Sequence, residues 1–232
     1  MKEIKVVGVI SSPRINGNTA AMVREALKGA EEEGADITEI FLPKYNIEFC
    51  KGCLKCIATG KCNISDDHEA QMKLLYEADG IIAGSPNYGF SPNAMMKRFL
   101  ERLGMFLFFS SALGGKYIAG ISSSGSAGGA IKVAKNLTNL LSNGIFQRGY
   151  VTGLLGAGSN VSKKNKTLDK ACELGKKIVK DIKAGKKYPL QNIFGRLVMR
   201  FAMRPIIQKY ILKNKEGDTK AVYQSLFERG LI

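Results

Sequence analysis

Apolar and polar positions along this chain alternate in two rhythms, one of short continuous apolar runs and one of helical period. Residues 4–10 form a β-branched run bounded by Ser11, Ser12 and Pro13, as expected of a strand buried on both faces. Residues 18–33 follow with Met22, Val23, Ala26, Leu27 and Ala30 at helical spacing, and Gly34 stops that helix. A second strand is predicted over 37–42, a helix over 67–78 and a third strand over 80–84. Ser91 and Pro92 read as the N-cap and first-turn proline of the next helix, which turns Met95, Met96, Phe99, Leu100 and Leu103 inward. A fourth strand is expected over 116–121, a helix over 127–141, a fifth strand over 147–154 and a closing helix over 168–182.

This alternation implies an α/β protein with a parallel sheet and right-handed crossover helices on both faces. Five strands favour a flavodoxin-like, doubly wound sheet of order 2-1-3-4-5, in which ligands bind beyond the carboxyl ends of strands 1 and 3. Unusual residues should then gather after strands 1, 3 and 4, and they do. The three segments are Ser11-Ser12-Pro13-Arg14-Ile15-Asn16-Gly17-Asn18-Thr19, Ser85-Pro86-Asn87-Tyr88-Gly89-Phe90 and Ser122-Ser123-Ser124-Gly125-Ser126-Ala127-Gly128-Gly129.

The first loop leads into a helix N-terminus, whose unpaired N–H groups and positive dipole end suit a phosphate. Ser11, Ser12, Thr19 and Arg14 add hydroxyls and a guanidinium that can wrap a terminal monophosphate, whereas the Gly-x-Gly-x-x-Gly of dinucleotide folds and the P-loop lysine motif are both missing. FMN is therefore favoured over NAD, FAD or a nucleoside triphosphate. The plainer reading is that these residues cap a helix and Gly17 makes a turn. In the second loop, Pro86, Asn87 and Tyr88 offer a tight backbone, an amide and an aromatic ring to a flat heterocycle; an ordinary βα turn is the alternative. Ser123, Ser124 and Gly125 either line the flavin edge or form a simple turn.

Composition alters this picture in two ways. The 232 residues are 45% apolar and 24% charged, which is globular rather than disordered, and they carry a net charge of +15. The charge attracts anionic partners, but the basic residues are dispersed and mostly Lys with no nucleic-acid motif, so no nucleic-acid partner is expected. The strongly apolar run 105–113 is broken by Ser110 and Ser111 and is far shorter than the roughly 18 residues of a membrane span. With the apolar run starting at Ile4, no secretory leader is read, and the expected location is cytoplasmic.

The second change comes from cysteine. Four of the five cysteines, Cys50, Cys53, Cys56 and Cys62, fall within thirteen residues, and Gly52 and Gly60 allow that loop to fold round a compact object. The spacing suits a [4Fe-4S] cluster; a zinc site and free or redox-active thiols stay open as alternatives. Cys172 falls on the apolar stripe of the closing helix and is expected in the core without chemistry. His68, the only histidine, is expected exposed or capping at a helix start, and Asp66 and Asp67 fit N-terminal helix positions. Neither a hydrolase triad nor a histidine metal site is supported, so the chemistry falls to the cofactors.

The motifs S-S-P-R-I-N-G-N-T at 11–19, C-K-G-C-L-K-C-I-A-T-G-K-C at 50–62 and A-D-G-I-I-A-G-S-P-N-Y at 78–88 together resemble the iron-sulfur flavoprotein family, within the wider group of NADPH-dependent FMN reductases and flavodoxin-like quinone reductases. The resemblance covers the first half of the chain and weakens after about residue 160, and one departure is Ser11 where the family's loop commonly has glycine. It implies that Ser12, Arg14, Asn18 and Thr19 hold the FMN phosphate, that Pro86, Asn87 and Tyr88 seat the ring, and that Cys50, Cys53, Cys56 and Cys62 ligate the cluster. It also implies an FMN-dependent oxidoreductase that relays electrons between a one-electron carrier such as ferredoxin and a two-electron partner. Lys51, Lys55 and Lys61 beside the cysteines suit an acidic carrier. A cluster-free NAD(P)H-dependent FMN or quinone reductase and a zinc-stabilised binding module are the competing readings.

Residues 1–185 are expected to form the FMN-binding domain, with 46–64 as its cysteine loop, and 186–232 a helical extension. In that extension Arg196, Arg200 and Arg204 share one face, Phe194, Leu197, Val198 and Phe201 occupy others, and Pro205 should kink or end the helix. Packing on the parent domain or on another subunit of a homodimer or homotetramer is favoured over docking on an anionic membrane surface.

Overall fold

In the computed structural model, which describes residues 3–125, 128–159, 161 and 165–232, the elements run β1 (Lys5–Ile10), α1 (Asn18–Glu32), β2 (Asp36–Phe41), α2 (Lys55–Thr59), α3 (His68–Glu77), β3 (Gly80–Tyr88), β4 (Ser91–Pro92), α4 (Ala94–Ser110), β5 (Tyr117–Ser123), α5 (Ala130–Ser142), β6 (Tyr150–Ala157), α6 (Asn165–Lys183), α7 (Ile193–Val198), α8 (Arg204–Lys213) and α9 (Lys220–Glu228). The long strands pair in parallel in the order β2-β1-β3-β5-β6, which is the expected five-strand winding, while the two-residue β4 adds an antiparallel pair to β3. Winding reverses at β1 and β3, which are neighbours: Val6 pairs with Gly80 and Ile10 with Gly84.

Residues of β1 alternate between two apolar layers. Val6 and Ile10 face α1 and α6 with Val23, Leu27, Ile178 and Val179; Val7 and Val9 face the other side with Leu75, Met96, Phe99 and Leu103 of α3 and α4. Burial on both faces explains why the strand reads as one apolar run. The first layer depends on two glycines. A Cβ at Gly29 would fall 2.1 Å from the Cys172 carbonyl oxygen and one at Gly175 would fall 1.7 Å from that of Ala26, so α1 and α6 meet backbone to backbone.

Several expectations need correction. Ser91 and Pro92 do not start α4: they pair with Tyr88 and Asn87, and the cap is Asn93, whose side chain accepts the Met96 N–H at 3.1 Å. β3 runs on through Tyr88, four residues past its expected end, because this hairpin continues the strand. β6 begins at Tyr150 rather than 147, since Gln147–Gly149 are spent on turns with Ser111, Gly115 and Ser142. α5 begins at Ala130; the expected start at Ala127, together with Ser126, lies outside the described residues. Cys172 is only half-buried at the α1–α6 edge, with its thiol 3.8 Å from Glu32 Oε2. Pro205 does not end the helix: it stands in the first turn of α8, where its missing N–H is tolerated, and a π-helical segment, Met199–Met203, joins α7 to α8.

The extension divides in two. Ile211 of α8 and Val222 and Leu226 of α9 form a third apolar cluster with Ile57 of α2, and Cys56 and Phe106 pack against it. α7 and the π segment instead expose Phe194 (82%) and Phe201 (71%), and of their apolar residues Met199 packs on the third cluster. Among the described residues no helix is long and apolar enough to cross a membrane.

Candidate functional site

The three loops identified in sequence meet at the carboxyl edge of β1, β3 and β5, and hydrogen bonds tie them together. Ser11 donates its backbone N–H to the Gly84 carbonyl at 3.0 Å. Asn93 Nδ2 donates to the Ser11 carbonyl at 2.7 Å, and the Ser85 hydroxyl accepts the Asn93 N–H at 3.0 Å. Asn87 Nδ2 donates to the Gly128 carbonyl at 3.1 Å and reaches the Ser124 hydroxyl at 3.4 Å. The Thr19 and Ser123 hydroxyls are 2.7 Å apart and buried.

Each predicted flavin residue can now be placed. Ser12 is buried and turns the loop, accepting the Arg14 N–H and donating to its carbonyl, both at 3.2 Å. Arg14 is exposed and Asn18 half-buried at the start of α1, whose N-cap position is held by Gly17 with no side-chain cap, leaving the first-turn N–H groups to a ligand or water. Pro86 and Asn87 are half-buried, Tyr88 is 55% exposed, Ser123 and Ser124 are buried, and Gly125 is exposed. β3 and β4 form a hairpin over this edge, turning through Gly89 (φ +59°) and Phe90 (φ +62°), the left-handed pair of a tight two-residue turn. A Cβ on Gly129 would come within 2.7 Å of both Asn87 Nδ2 and Phe90 Cδ1, so that glycine lets the hairpin and the β5 loop close up.

Sequence reasoning missed Asn93, the residue that knots the first two loops while capping α4. Its signal was the third residue of Ser-Pro-Asn, one step beyond the dipeptide taken as the cap.

The crevice fits a flavin mononucleotide on a specific count. Asn87 Oδ1 is buried with no protein partner, an acceptor beside the hairpin awaiting a donor such as a ring N–H. Ser12, Arg14, Asn18 and Thr19 lie together in the loop before α1 and at its N-terminus.

The four clustered cysteines line a second cleft, together with Arg102, Glu101 and Met105 of α4. Gly52 (φ +63°), Leu54 (φ +58°) and Gly60 (φ +74°) take left-handed conformations, which turn the loop back on itself. Cys50 and Cys53 are exposed, Cys56 and Cys62 half-buried. Burial pushes the Cys56 thiol up, and the neighbouring Cys62, Cys50 and Cys53 reinforce the rise. Yet among the described residues no three His, Cys, Asp or Glu side chains close on a single ion. Four thiols round one cleft match in number the four irons of a cube, each of which takes one thiolate.

Behind this cleft lies a buried ion pair that the sequence did not announce. Arg102 forks onto Asp66 at 2.6 and 3.0 Å, with side chains 1% and 2% exposed. Burial raises the Asp66 pKa but the Arg102 bonds and the Glu48 and His68 N–H groups outweigh it, leaving Asp66 below the usual carboxylate range. Thus Asp66 serves the N-terminus of α3, as expected, and is in addition a partner of α4. His68 is likewise not exposed: it is fully buried against Phe99, ring centroids 5.4 Å apart, and neither ring nitrogen has a protein partner. Burial, helped by the Arg102 charge, lowers its pKa to about 4. α4 therefore serves both sites, with Asn93 at the flavin crevice and Arg102 at the cysteine cleft about 13 Å further along its axis.

A doubly wound parallel sheet with three polar loops meeting at its reversal point defines a flavodoxin-like protein. The family described as NADPH-dependent FMN reductase matches residues 4–155. The chain is 30% identical over 230 residues to an iron-sulfur flavoprotein of Archaeoglobus fulgidus, covering 99% of this chain and all of that one. It is 35% identical over 194 residues to an iron-sulfur flavoprotein of Methanocaldococcus jannaschii, covering 79% of this chain and all of the relative. Among solved structures, the apo form of the NADH:FMN oxidoreductase EmoB aligns with a TM-score of 0.61 at 18% identity, over 82% of this chain and 99% of that one. A flavodoxin from the domain Archaea aligns with a TM-score of 0.52 at 20% identity, over 78% and 99%. The chain belongs to the NADPH-dependent FMN reductase family and, within it, to the iron-sulfur flavoproteins, a group of FMN-dependent oxidoreductases. The likeness runs through nearly the whole chain instead of fading at about residue 160, because the Archaeoglobus relative also matches the helical extension.

Proposed function

We propose that this protein is an electron relay that holds FMN at the carboxyl edge of β1, β3 and β5 and a [4Fe-4S] cluster on Cys50, Cys53, Cys56 and Cys62. When bound, FMN supplies one- and two-electron chemistry and the cluster one-electron chemistry, so their pairing joins a two-electron partner to a one-electron carrier. The single observation that carries this reading is the gathering of all four cysteines round one cleft beside Arg102.

The chain's own residues have definable tasks. The α1 N-terminus, Ser12 and Arg14 bind and orient a phosphate; Asn87 accepts a hydrogen bond from the ring edge; Tyr88 and Phe90 on the hairpin cover one side of the seat and limit water. The four thiols hold the cluster at a surface where Lys51, Lys55 and Lys61 are exposed. That basic rim favours an acidic carrier such as a ferredoxin and raises its encounter rate at low salt.

The test is an absorption spectrum with iron and sulfide analysis on protein purified without oxygen. Resolved flavin bands on a broad thiolate-to-iron shoulder, with four irons per chain expected of a cube, support the relay. Flavin bands alone, with no iron, replace it with a cluster-free NAD(P)H-dependent FMN or quinone reductase. A colourless protein holding zinc removes both.

A further inference from the structure

The loop that carries the cysteines starts and finishes at one side chain. Arg102 Nη1 donates to the Glu48 carbonyl, just before Cys50, at 2.9 Å, and the same guanidinium forks onto Asp66, just after Cys62. Asp66 completes the closure by accepting the Glu48 N–H at 2.8 Å and the His68 N–H at 3.0 Å. Asp67 adds an outer tie, accepting the Asn46 N–H at 2.7 Å. The ends of the cysteine loop are thus pinned to α4 by a fork that is almost wholly buried.

That fork has a directional electrostatic consequence. Arg102 lines the cleft with the four cysteines, whereas Asp66 does not, so the pair turns its positive end to the thiols and its negative end away. The guanidinium shares the cleft wall with Cys62, and its buried Nε–H has no protein acceptor. The other charged groups in the cleft are Glu101, which is exposed and paired with Lys97 at 3.2 Å, and Lys51, which is exposed. Arg102 is therefore the buried cation of the site.

We propose that Arg102 is the positioning and tuning residue of the cysteine centre: with Asp66 and the Glu48 carbonyl it fixes the mouth of the loop, and its unused N–H and charge stabilise the centre when it gains an electron. This rests on the cluster reading above. Reduction adds one electron and no proton, making the cluster with its four thiolates one unit more negative, and a buried cation on the inner wall favours that state. Lysine cannot replace the fork, because a single ammonium cannot bind two carboxylate oxygens and the Glu48 carbonyl in fixed geometry, but it keeps the charge.

The experiment compares wild-type protein, Arg102→Lys and the double variant Asp66→Asn/Arg102→Gln, all purified anaerobically, by iron content, rate of iron loss to a chelator and a dithionite titration followed by electron paramagnetic resonance. FMN content is the control for folding. Both variants should lose iron about tenfold faster than wild type, as disruption of groups supporting metal ligands does. The double variant, without the cation, should also titrate at a more negative potential than wild type, while Arg102→Lys stays close to it. Equal iron-loss rates and equal potentials in all three proteins would overturn the inference and leave the relay intact. If the double variant fails to retain FMN, Arg102→Lys alone decides: iron loss at the wild-type rate overturns the positioning role. Wild-type protein that takes up no iron would instead sink the cluster reading, and this inference with it.

Discussion

Thr19 at the start of α1 and Ser123 at the end of β5 share a hydrogen bond of 2.7 Å although 104 residues separate them. The bond crosses β3, and it can do so because β3 carries Gly84 at that point. A Cβ there would lie 3.2 Å from Thr19 Cγ2 and 2.3 Å from Val23 Cγ2, forcing α1 off the sheet. One missing methyl on the middle strand thus brings the loop after β1 and the loop after β5 together at the crevice.

Replacing Thr19 with Val keeps the shape and removes the shared hydroxyl, leaving Ser123 short of a partner. The expected loss is about 1 kcal/mol of order in the crevice, seen as FMN binding weakened five- to tenfold, roughly. A flavin-fluorescence quenching titration checks it. Unchanged affinity would mean that the hydroxyl pair serves stability alone.

Gly129→Ala addresses the hairpin. The position has φ +85°, and an added Cβ would meet Asn87 Nδ2 and Phe90 Cδ1 at 2.7 Å. Backbone strain and the clash should together cost about 1–2 kcal/mol and move Asn87 away from its place beside the Gly128 carbonyl. Urea unfolding and FMN titration should both register the change; the second would stay at the wild-type value if Asn87 does not contact the flavin.

His68 makes stability depend on pH. Its pKa lies at about 4 in the folded chain against about 6.5 when unfolded, so between these values the unfolded chain binds the extra proton. Stability is complete above about pH 6.5 and falls as the pH drops towards 4, by roughly 3 kcal/mol over the window. Asp66 acts lower down: with its pKa depressed, its contribution is present above about pH 4 and is lost on further acidification. In His68→Leu the acid limb between pH 6.5 and 4 should flatten while the steeper loss below it remains. Denaturation midpoints measured across that range give the comparison.

Removing residues 186–232 should harm the cysteine loop before the flavin crevice. α9 packs on α2, where a Cβ on Gly60 would already touch Ala221 at 3.3 Å, and Ile57 sits in one cluster with Ile211, Val222 and Leu226. Truncation strips that cover from Ile57 and Cys56, so iron retention should drop at least severalfold while FMN binding is largely kept. Size-exclusion chromatography and liposome flotation of the same protein report whether exposed α7, with Phe194 and Phe201, also mediates assembly or lipid contact. Equal iron retention with and without the segment would refute the buttress.

Much of the site could be read in advance because its information is local. The apolar runs of β1, β3 and β5, buried on both faces, name the strands without knowledge of their neighbours. Alternation with helices restricts them to one winding, and that winding predicts which loops meet. The cysteine spacing is likewise legible, since four thiols within thirteen residues can serve one centre whatever the rest of the chain does.

What the chain did not disclose depends on contacts between distant positions. Helical period marks Phe99 and Leu103 as inward but cannot foretell that Arg102 between them is buried too, because the carboxylate that makes this tolerable is 36 residues away at Asp66. His68 misled for the same reason: a polar residue at a helix start is ordinarily solvated, and only the packing of α3 on α4 closes Phe99 over it. Asn93 outranks Ser91 as the cap because β3 captures Ser91 and Pro92 in a hairpin. In each case local propensity named the residue types and the elements, while the free energy of a long-range partner, available only once the sheet had assembled, determined which side chain did the work.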